Sequence, residues 1–168
     1  MLTFWSRSKD LDCRYLSNFE TVPGGLHIPD DFLVSHLRGR TYPSVENAFQ
    51  ACKYAYSQNP SLMTELERCS SKEAKRAGSK TGMKTVLDVH AWNYVSYECM
   101  TRLLEIRYKT DERFRVIVDT AKSKGKTFYH IETRGPYIWG GCMKNGQWVG
   151  QNRLGQIFNE HLSETLRS

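Results

Sequence analysis

The chain has 168 residues, 39% hydrophobic and 25% charged, enough for one domain with a sizeable core and ordinary for a soluble globular protein. Lys and Arg outnumber Asp and Glu by 24 to 18, and the net charge of +6 is compatible with a polyanionic ligand without requiring one. No apolar run reaches bilayer-spanning length. Residues 1–7 show no basic stretch leading into an apolar one, so neither a membrane span nor a secretion signal is expected. The cysteines (13, 52, 69, 99 and 142) are odd in number and widely spaced, with no CxxC. That pattern argues against a disulfide framework or a zinc site and points to reduced thiols in a cytoplasm.

In chain order, turn signals crowd residues 23–43: Pro23-Gly24-Gly25, Pro29-Asp30-Asp31 and Arg38-Gly39-Arg40. Leu26 to Ile28 and Phe32 to Leu37 are predicted as short strands or a hairpin between them. A helix from Ser44 to about Ser57 comes next, broken by Asn59-Pro60. Ser61 is predicted to cap a short helix through Cys69. Ser70 or Ser71 caps the next, with Glu73 in its first turn and Gly78 at its end. The clearest helix spans about Trp92 to Tyr108, with Val95, Cys99, Leu103 and Ile106 or Arg107 on one stripe, and Trp92 and Met100 in the core. Glu112 to Lys122 is another helix, with Phe114, Ile117, Val118 and Ala121 inward. Lys126 to Glu132 reads as a strand. The Trp139-Gly140-Gly141 and Asn145-Gly146 region reads as a turn or hairpin. Asn152 to about Leu166 closes the chain as a helix. The expected fold class is mainly α (α+β): one compact helical domain over residues 1–168 with a few short strands.

One stretch carries chemistry. In Tyr42 to Tyr54, Ser44 is a good N-cap behind Pro43. Glu46, Gln50 and Lys53 fall four and three residues apart and share a stripe beside the apolar Val45, Ala48, Phe49 and Cys52. A solvated helical ion pair, worth roughly a few tenths of a kcal/mol, is the plain alternative. Between Arg68 and Lys84 lie Arg68, Lys72, Lys75, Arg76, Lys80 and Lys84 against only Glu73. This is either a solvated face or a phosphate-facing edge. There is no glycine-rich phosphate loop, and the histidines show no metal spacing, so no metal or cofactor is expected.

These residues, with others along nearly the whole chain, resemble the NADAR family of YbiA-like N-glycosidases. The matching elements are Leu16-Ser17-Asn18-Phe19, Tyr42 to Lys53, Ala74-Lys75, Gly78, Trp92, Met100, Arg107-Tyr108, Glu132, Trp139-Gly140, Gly150, Asn152 and Leu154-Gly155. Departures are Asn47 where the family usually has His, Cys52 where Ala is usual, and the lack of an acid among residues 133–138 where an Asp is usual. The resemblance implies a mostly helical fold with small β elements and hydrolysis of an N-glycosidic bond. Some relatives look like cleaners of riboflavin-pathway intermediates, and others remove ADP-ribose from guanine in nucleic acid.

Such hydrolysis builds positive charge on C1 and the ring oxygen of ribose, which a carboxylate stabilises, and the departing base needs a proton or a hydrogen-bond donor. The expected catalytic residues are Glu46 (oxocarbenium or water), Glu132 (ribose hydroxyls) and Lys53 (phosphate contact or donor). A lysine attacking C1 through a Schiff base is a second route. The expected substrate contacts are Asn18, Phe19, Gln50, Lys75, Trp139, Gly140 and Asn152. Trp139 beside Gly140 and Gly141 would be a stacking wall; Asn152 equally suits a helix cap. Net charge leans the substrate towards ADP-ribosylated guanine in DNA. The alternatives are phosphorylated riboflavin precursors, or a non-catalytic binder of ADP-ribose or of an ADP-ribosylating toxin, to which the missing acid points.

Overall fold

The computed structural model describes residues 1–79 and 87–167. In chain order its elements are β1 (Leu2–Phe4), α1 (Leu11–Tyr15), β2 (Leu26–His27), a 3-10 turn (Ser35–Leu37), β3 (Thr41–Tyr42), α2 (Val45–Ala55) and a 3-10 helix (Pro60–Glu67). They continue with α3 (Ser71–Ala77), α4 (Val89–Thr110), α5 (Glu112–Ser123), β4 (Phe128–His130), β5 (Cys142–Lys144), β6 (Gln147–Val149), α6 (Arg153–Glu160) and a last 3-10 turn (Glu164–Arg167). The class is α+β, mainly helical, with the strands in two-stranded pairs. The chain divides into two compact units, Asn18–Arg107 and Met1–Ser17 with Tyr108–Ser168.

The Asn18–Arg107 unit is built on α2. Ser44 has extended backbone at the N-cap, and its Oγ accepts the Asn47 N–H at 3.1 Å. Every residue of α2 except Lys53 and Ala55 is buried, so the helix is covered on nearly all sides rather than along one stripe. Asn47 fastens the 66–69 segment to this helix: its Nδ2 donates to the carbonyls of Leu66 (2.9 Å) and Cys69 (2.8 Å), while its Oδ1 accepts from Ser44 Oγ (2.6 Å). The Pro60–Glu67 segment is 3-10 rather than α, and Asn59, not Ser61, stands at its N-cap. Met63 and Leu66, three apart, eclipse each other at three residues per turn and are both buried. Of the two serines that could cap α3, Ser70 is the one that does, in a capping box with Glu73. Helix α4 begins at Val89, earlier than expected, because Asp88 Oδ1 accepts the Ala91 N–H at 3.0 Å. Trp92 is buried against Phe49, with ring centroids 5.1 Å apart.

The predicted pairing of residues 26–28 with 32–37 does not form. β2 pairs with β3 instead, antiparallel, with Leu26 opposite Tyr42. Residues 29–38 close that pair as a loop, and Phe32, Val34 and Leu37 turn inward as buried plugs. Alternation there reflects burial of a loop, not a ladder.

In the other unit β1 and β4 pair in parallel, Leu2 opposite Phe128. Phe4, Phe128 and Phe158 form a fully buried cluster with centroids 4.6–6.3 Å apart. Each such ring contributes about 1.5–3 kcal/mol by burial. Asp111 caps α5 and also takes the Tyr15 hydroxyl, 2.9 and 3.0 Å from its two oxygens. The predicted hairpin is present: Asn145 and Gly146 both have positive φ, 51° and 75°, as a tight β5–β6 turn requires. The closing helix is shorter than expected. It stops at Glu160 so that Leu162 can turn inward, and Lys122 donates to the Leu162 carbonyl.

Candidate functional site

Glu46 lies in the first turn of α2, where its N–H donates to the Asn18 carbonyl at 3.0 Å. Its side chain is 7% exposed and accepts one hydrogen bond, from Gln50 Nε2 at 2.9 Å. Burial raises its proton affinity above the ordinary 4.5; the Gln50 bond and the positive charges of Lys75 and Lys53 pull against that shift without cancelling it. Glu46 is therefore a carboxyl that holds a proton more readily than a surface glutamate does.

Lys53, two turns along, is half-buried, and its Nζ donates to the Gly78 carbonyl at 2.5 Å. Burial lowers its proton affinity, and Glu46 partly restores it. Lys75 is exposed on α3, with its Nζ 5.3 Å from the centre of the half-buried Phe19 ring. Ser71 Oγ donates to the Phe19 carbonyl at 2.7 Å, which ties the Asn18–Phe19 loop to the start of α3. The structure thus places Asn18 and Phe19 at the loop bonded to the starts of α2 and α3, Glu46, Gln50 and Lys53 along α2 from its first turn to its last, and Lys75 in the last turn of α3. Arg68, Lys72 and Arg76 are exposed, like Lys75. Lys80 and Lys84 of the basic run lie outside the described residues.

In the sequence Gly78 read as the end of α3 and as one element of the family resemblance, with no contact assigned to it. A Cβ there would stand 1.7 Å from Gln50 Oε1, so the carbonyl of Gln50 occupies the place of the missing side chain. Gln50 Oε1 and Asn18 Oδ1 are both buried and find no hydrogen-bond partner among the described residues. Met100, expected as core, is indeed buried, but its Sδ also lies 3.4 Å from Asn18 Nδ2. No pattern in the sequence joins positions 18, 78 and 100.

The remaining candidates belong to the other unit. Glu132 follows β4, is half-buried, and its N–H donates to the Gly141 carbonyl at 2.9 Å. Trp139 is half-buried, and its carbonyl accepts the Leu154 N–H at 2.9 Å. Gly140 is tightly enclosed: a Cβ would come within 2.3 Å of the His130 carbonyl and 3.0 Å of Glu132 Cγ. Asn152 stands at the α6 N-cap position with φ 52°, but its side chain does not cap the helix. Its Oδ1 accepts the His130 N–H at 2.9 Å and its Nδ2 donates to the Phe128 carbonyl at 3.0 Å. Both ends of the amide are used on β4. Among the described residues no three His, Cys, Asp or Glu side chains gather as a metal site requires, and no helix is long and apolar enough to cross a membrane.

Comparison with known families bears directly on this arrangement. The NADAR domain matches residues 3–167. The chain belongs to the NADAR family. The family is N-glycosidase-like, which gives this NADAR chain its coarse activity class, cleavage of an N-glycosidic bond. The NMR structure of the E. coli protein YbiA is similar in fold, with a TM-score of 0.65 and 23% identity over 98% of this chain and 82% of that one. No curated protein matches. Two of the three departures from the family pattern, Asn47 and Cys52, have local explanations. Asn47 is fully buried with its amide groups engaged by Ser44, Leu66 and Cys69, so the side chain at this position acts as a clamp. Cys52 is fully buried on α2, where its thiol meets that of Cys99 from α4.

Proposed function

We propose that this NADAR chain hydrolyses an N-ribosidic bond and that its substrate is ADP-ribose attached to guanine in DNA. The observation that carries this reading is the buried Glu46 carboxyl, held by Gln50 and faced by the charges of Lys53 and Lys75. A carboxyl with raised proton affinity can exchange a proton with water or with the departing base as the C1–N bond breaks. Positive charge growing on the ribose ring draws electrostatic support from the same group once it is ionised. Water adds its oxygen to C1, and its proton balances the base that leaves. Lys53, with its proton affinity lowered by burial, is the better nucleophile of the two lysines for a Schiff-base route. Borohydride trapping of a lysine adduct separates that route from direct hydrolysis.

The DNA preference is supported by the exposed Arg68, Lys72, Lys75 and Arg76 in the same unit as Glu46. Neutralising phosphates with such side chains releases counterions, so affinity for the modified strand should fall steeply with salt, unlike affinity for a small riboflavin precursor. A second reading, a binder of ADP-ribose or of the modifying toxin, draws on the absence of a carboxylate among residues 133–138.

The deciding experiment incubates the protein with an oligonucleotide bearing ADP-ribose on guanine and follows it by mass spectrometry. Loss of the ADP-ribose mass with the guanine intact supports the reading. Tight binding with no turnover favours the second, and turnover of riboflavin precursors alone removes DNA from the proposal.

A further inference from the structure

We infer that the side-chain carbonyl of Asn18 accepts a hydrogen bond from the nitrogen base of the substrate, from a ring N–H or exocyclic amine, so that Asn18 selects the leaving group. The inference rests on the N-glycosidase reading above and goes further by assigning one residue to the base rather than to the sugar or phosphates. Asn18 is 7% exposed, yet its Oδ1 has no partner among the described residues. Its Nδ2 meets only the Met100 thioether, a weak acceptor, at 3.4 Å. Exchanging the two ends of the amide does not help, because the amine would then be the orphan and the oxygen would face sulfur. A turn residue with a purely local role ordinarily satisfies its amide through neighbouring backbone. Here the backbone carbonyl of Asn18 is so engaged, by the Glu46 N–H, and this bond ties the residue's backbone to the first turn of α2, which carries the proposed catalytic carboxyl.

Gln50 provides a contrast. Its carbonyl also lacks a partner among the described residues, but it fills the space left by the missing side chain of Gly78 and is accounted for by packing. The Asn18 amide meets the Met100 thioether, and the next residue in the chain, Phe19, is a half-buried ring with the Lys75 ammonium 5.3 Å from its centre. Thioether and ring offer flat, soft surfaces suited to an aromatic heterocycle. Hydroxyls and phosphates would call on the charged groups instead. Guanine and the pyrimidinones of riboflavin precursors both present a ring N–H, so the chemistry is shared and the experiment must separate the sources.

The test titrates guanosine 5′-monophosphate, uridine 5′-monophosphate and ribose 5-phosphate into the full chain by calorimetry, for wild type, Asn18→Leu and Asn18→Asp, with Asn18→Ala in place of a leucine variant that does not fold. Asn18→Leu should weaken the nucleotides about tenfold, the worth of one hydrogen bond, and leave ribose 5-phosphate unchanged. Its melting temperature should equal or exceed that of wild type, since a buried orphan has been removed. Asn18→Asp keeps an oxygen in place and should stay within about threefold of wild type. The nucleotide that binds more tightly identifies the source of the base. Equal losses for nucleotide and ribose 5-phosphate overturn the inference, as do unchanged nucleotide affinity in Asn18→Leu, loss of binding in Asn18→Asp, or no nucleotide binding to wild type. Base discrimination by Asn18 in a protein that turns over no N-riboside would instead defeat the catalytic reading and leave Asn18 as a base reader.

Discussion

In the Asn18–Arg107 unit, the buried side-chain carbonyls of Asn18 and Gln50 find no partner among the described residues, and the Glu46 carboxyl accepts a hydrogen bond from Gln50. In the other unit Asn152, buried to the same degree, has both ends of its amide bound to the β4 backbone, and Gly140 is enclosed by that strand's end. Trp148 Nε1 in that unit also lacks a hydrogen-bond partner among the described residues, but its indole packs at 67° against the Tyr129 ring, 4.8 Å between centroids, where an aromatic face can take up an N–H. A polar side chain saturated by backbone serves the fold. One that is buried and unsaturated beside a charge costs stability and is available to a ligand.

The largest expected effect tests the unsaturated side. Glu46→Gln should lower turnover by about 10²–10⁴-fold, the usual worth of a proton-transferring group, while affinity for ADP-ribose persists. Unchanged turnover would move the chemistry away from α2. The same variant reports on stability. The folded state raises the proton affinity of Glu46, so near its ordinary 4.5 and just above, the folded chain holds a proton that the unfolded chain has released. Stability from this group is therefore highest at low pH, falls as pH rises through that window, and stays reduced beyond it. Wild type and Glu46→Gln should melt alike near pH 4, and the variant should melt higher at about pH 7.

Next comes Asn152→Ala. It leaves the His130 N–H without its partner and removes a bond to the Phe128 carbonyl, for a loss of about 2–4 kcal/mol in urea unfolding with turnover per folded molecule retained. Full stability with lost turnover would break the comparison and make Asn152 a substrate ligand.

Gly78→Ala has a smaller and subtler outcome. The backbone there, φ −82°, accepts alanine, but the new Cβ displaces the Gln50 carbonyl and with it the bond to Glu46. The rate constant should fall about tenfold, and the acid limb of the pH–rate profile should move to higher pH, because a bond favouring the ionised carboxyl is gone. An unmoved profile would mean that Gln50 does not tune Glu46. Smallest of all, Ser70→Ala removes an exposed capping box in the same unit as the site, with a loss of about 1 kcal/mol and turnover intact in the folded protein.

Much of this molecule was legible along the chain because many of its deciding interactions are local. The Ser44 cap, the Ser70–Glu73 box and the Asn145-Gly146 turn each join residues at most three apart. Those spacings have one inexpensive geometry, and the sequence pattern placed the Ser44 cap and the Asn145-Gly146 turn and narrowed the α3 cap to Ser70 or Ser71. The stripe of Glu46, Gln50 and Lys53 came from helical periodicity alone. Where the pattern misled, a distant partner made the choice. The loop at 29–38 lost its strand character because β2 had β3 to pair with. The closing helix ended early so that Leu162 could be buried under the Lys122 ammonium.

By itself, then, the sequence determined the helical class, the caps and the row of chemistry-bearing residues on α2, since backbone dihedrals and side chains three or four positions apart decide these. Only the tertiary structure decided that Glu46 is buried and its proton affinity raised, that Gly78 makes room for Gln50, that both ends of the Asn152 amide are bound while Asn18 Oδ1 finds no partner among the described residues, and that β1 lies parallel to β4. Those outcomes depend on desolvation and on the meeting of groups far apart in the chain, and neither leaves a local pattern to read.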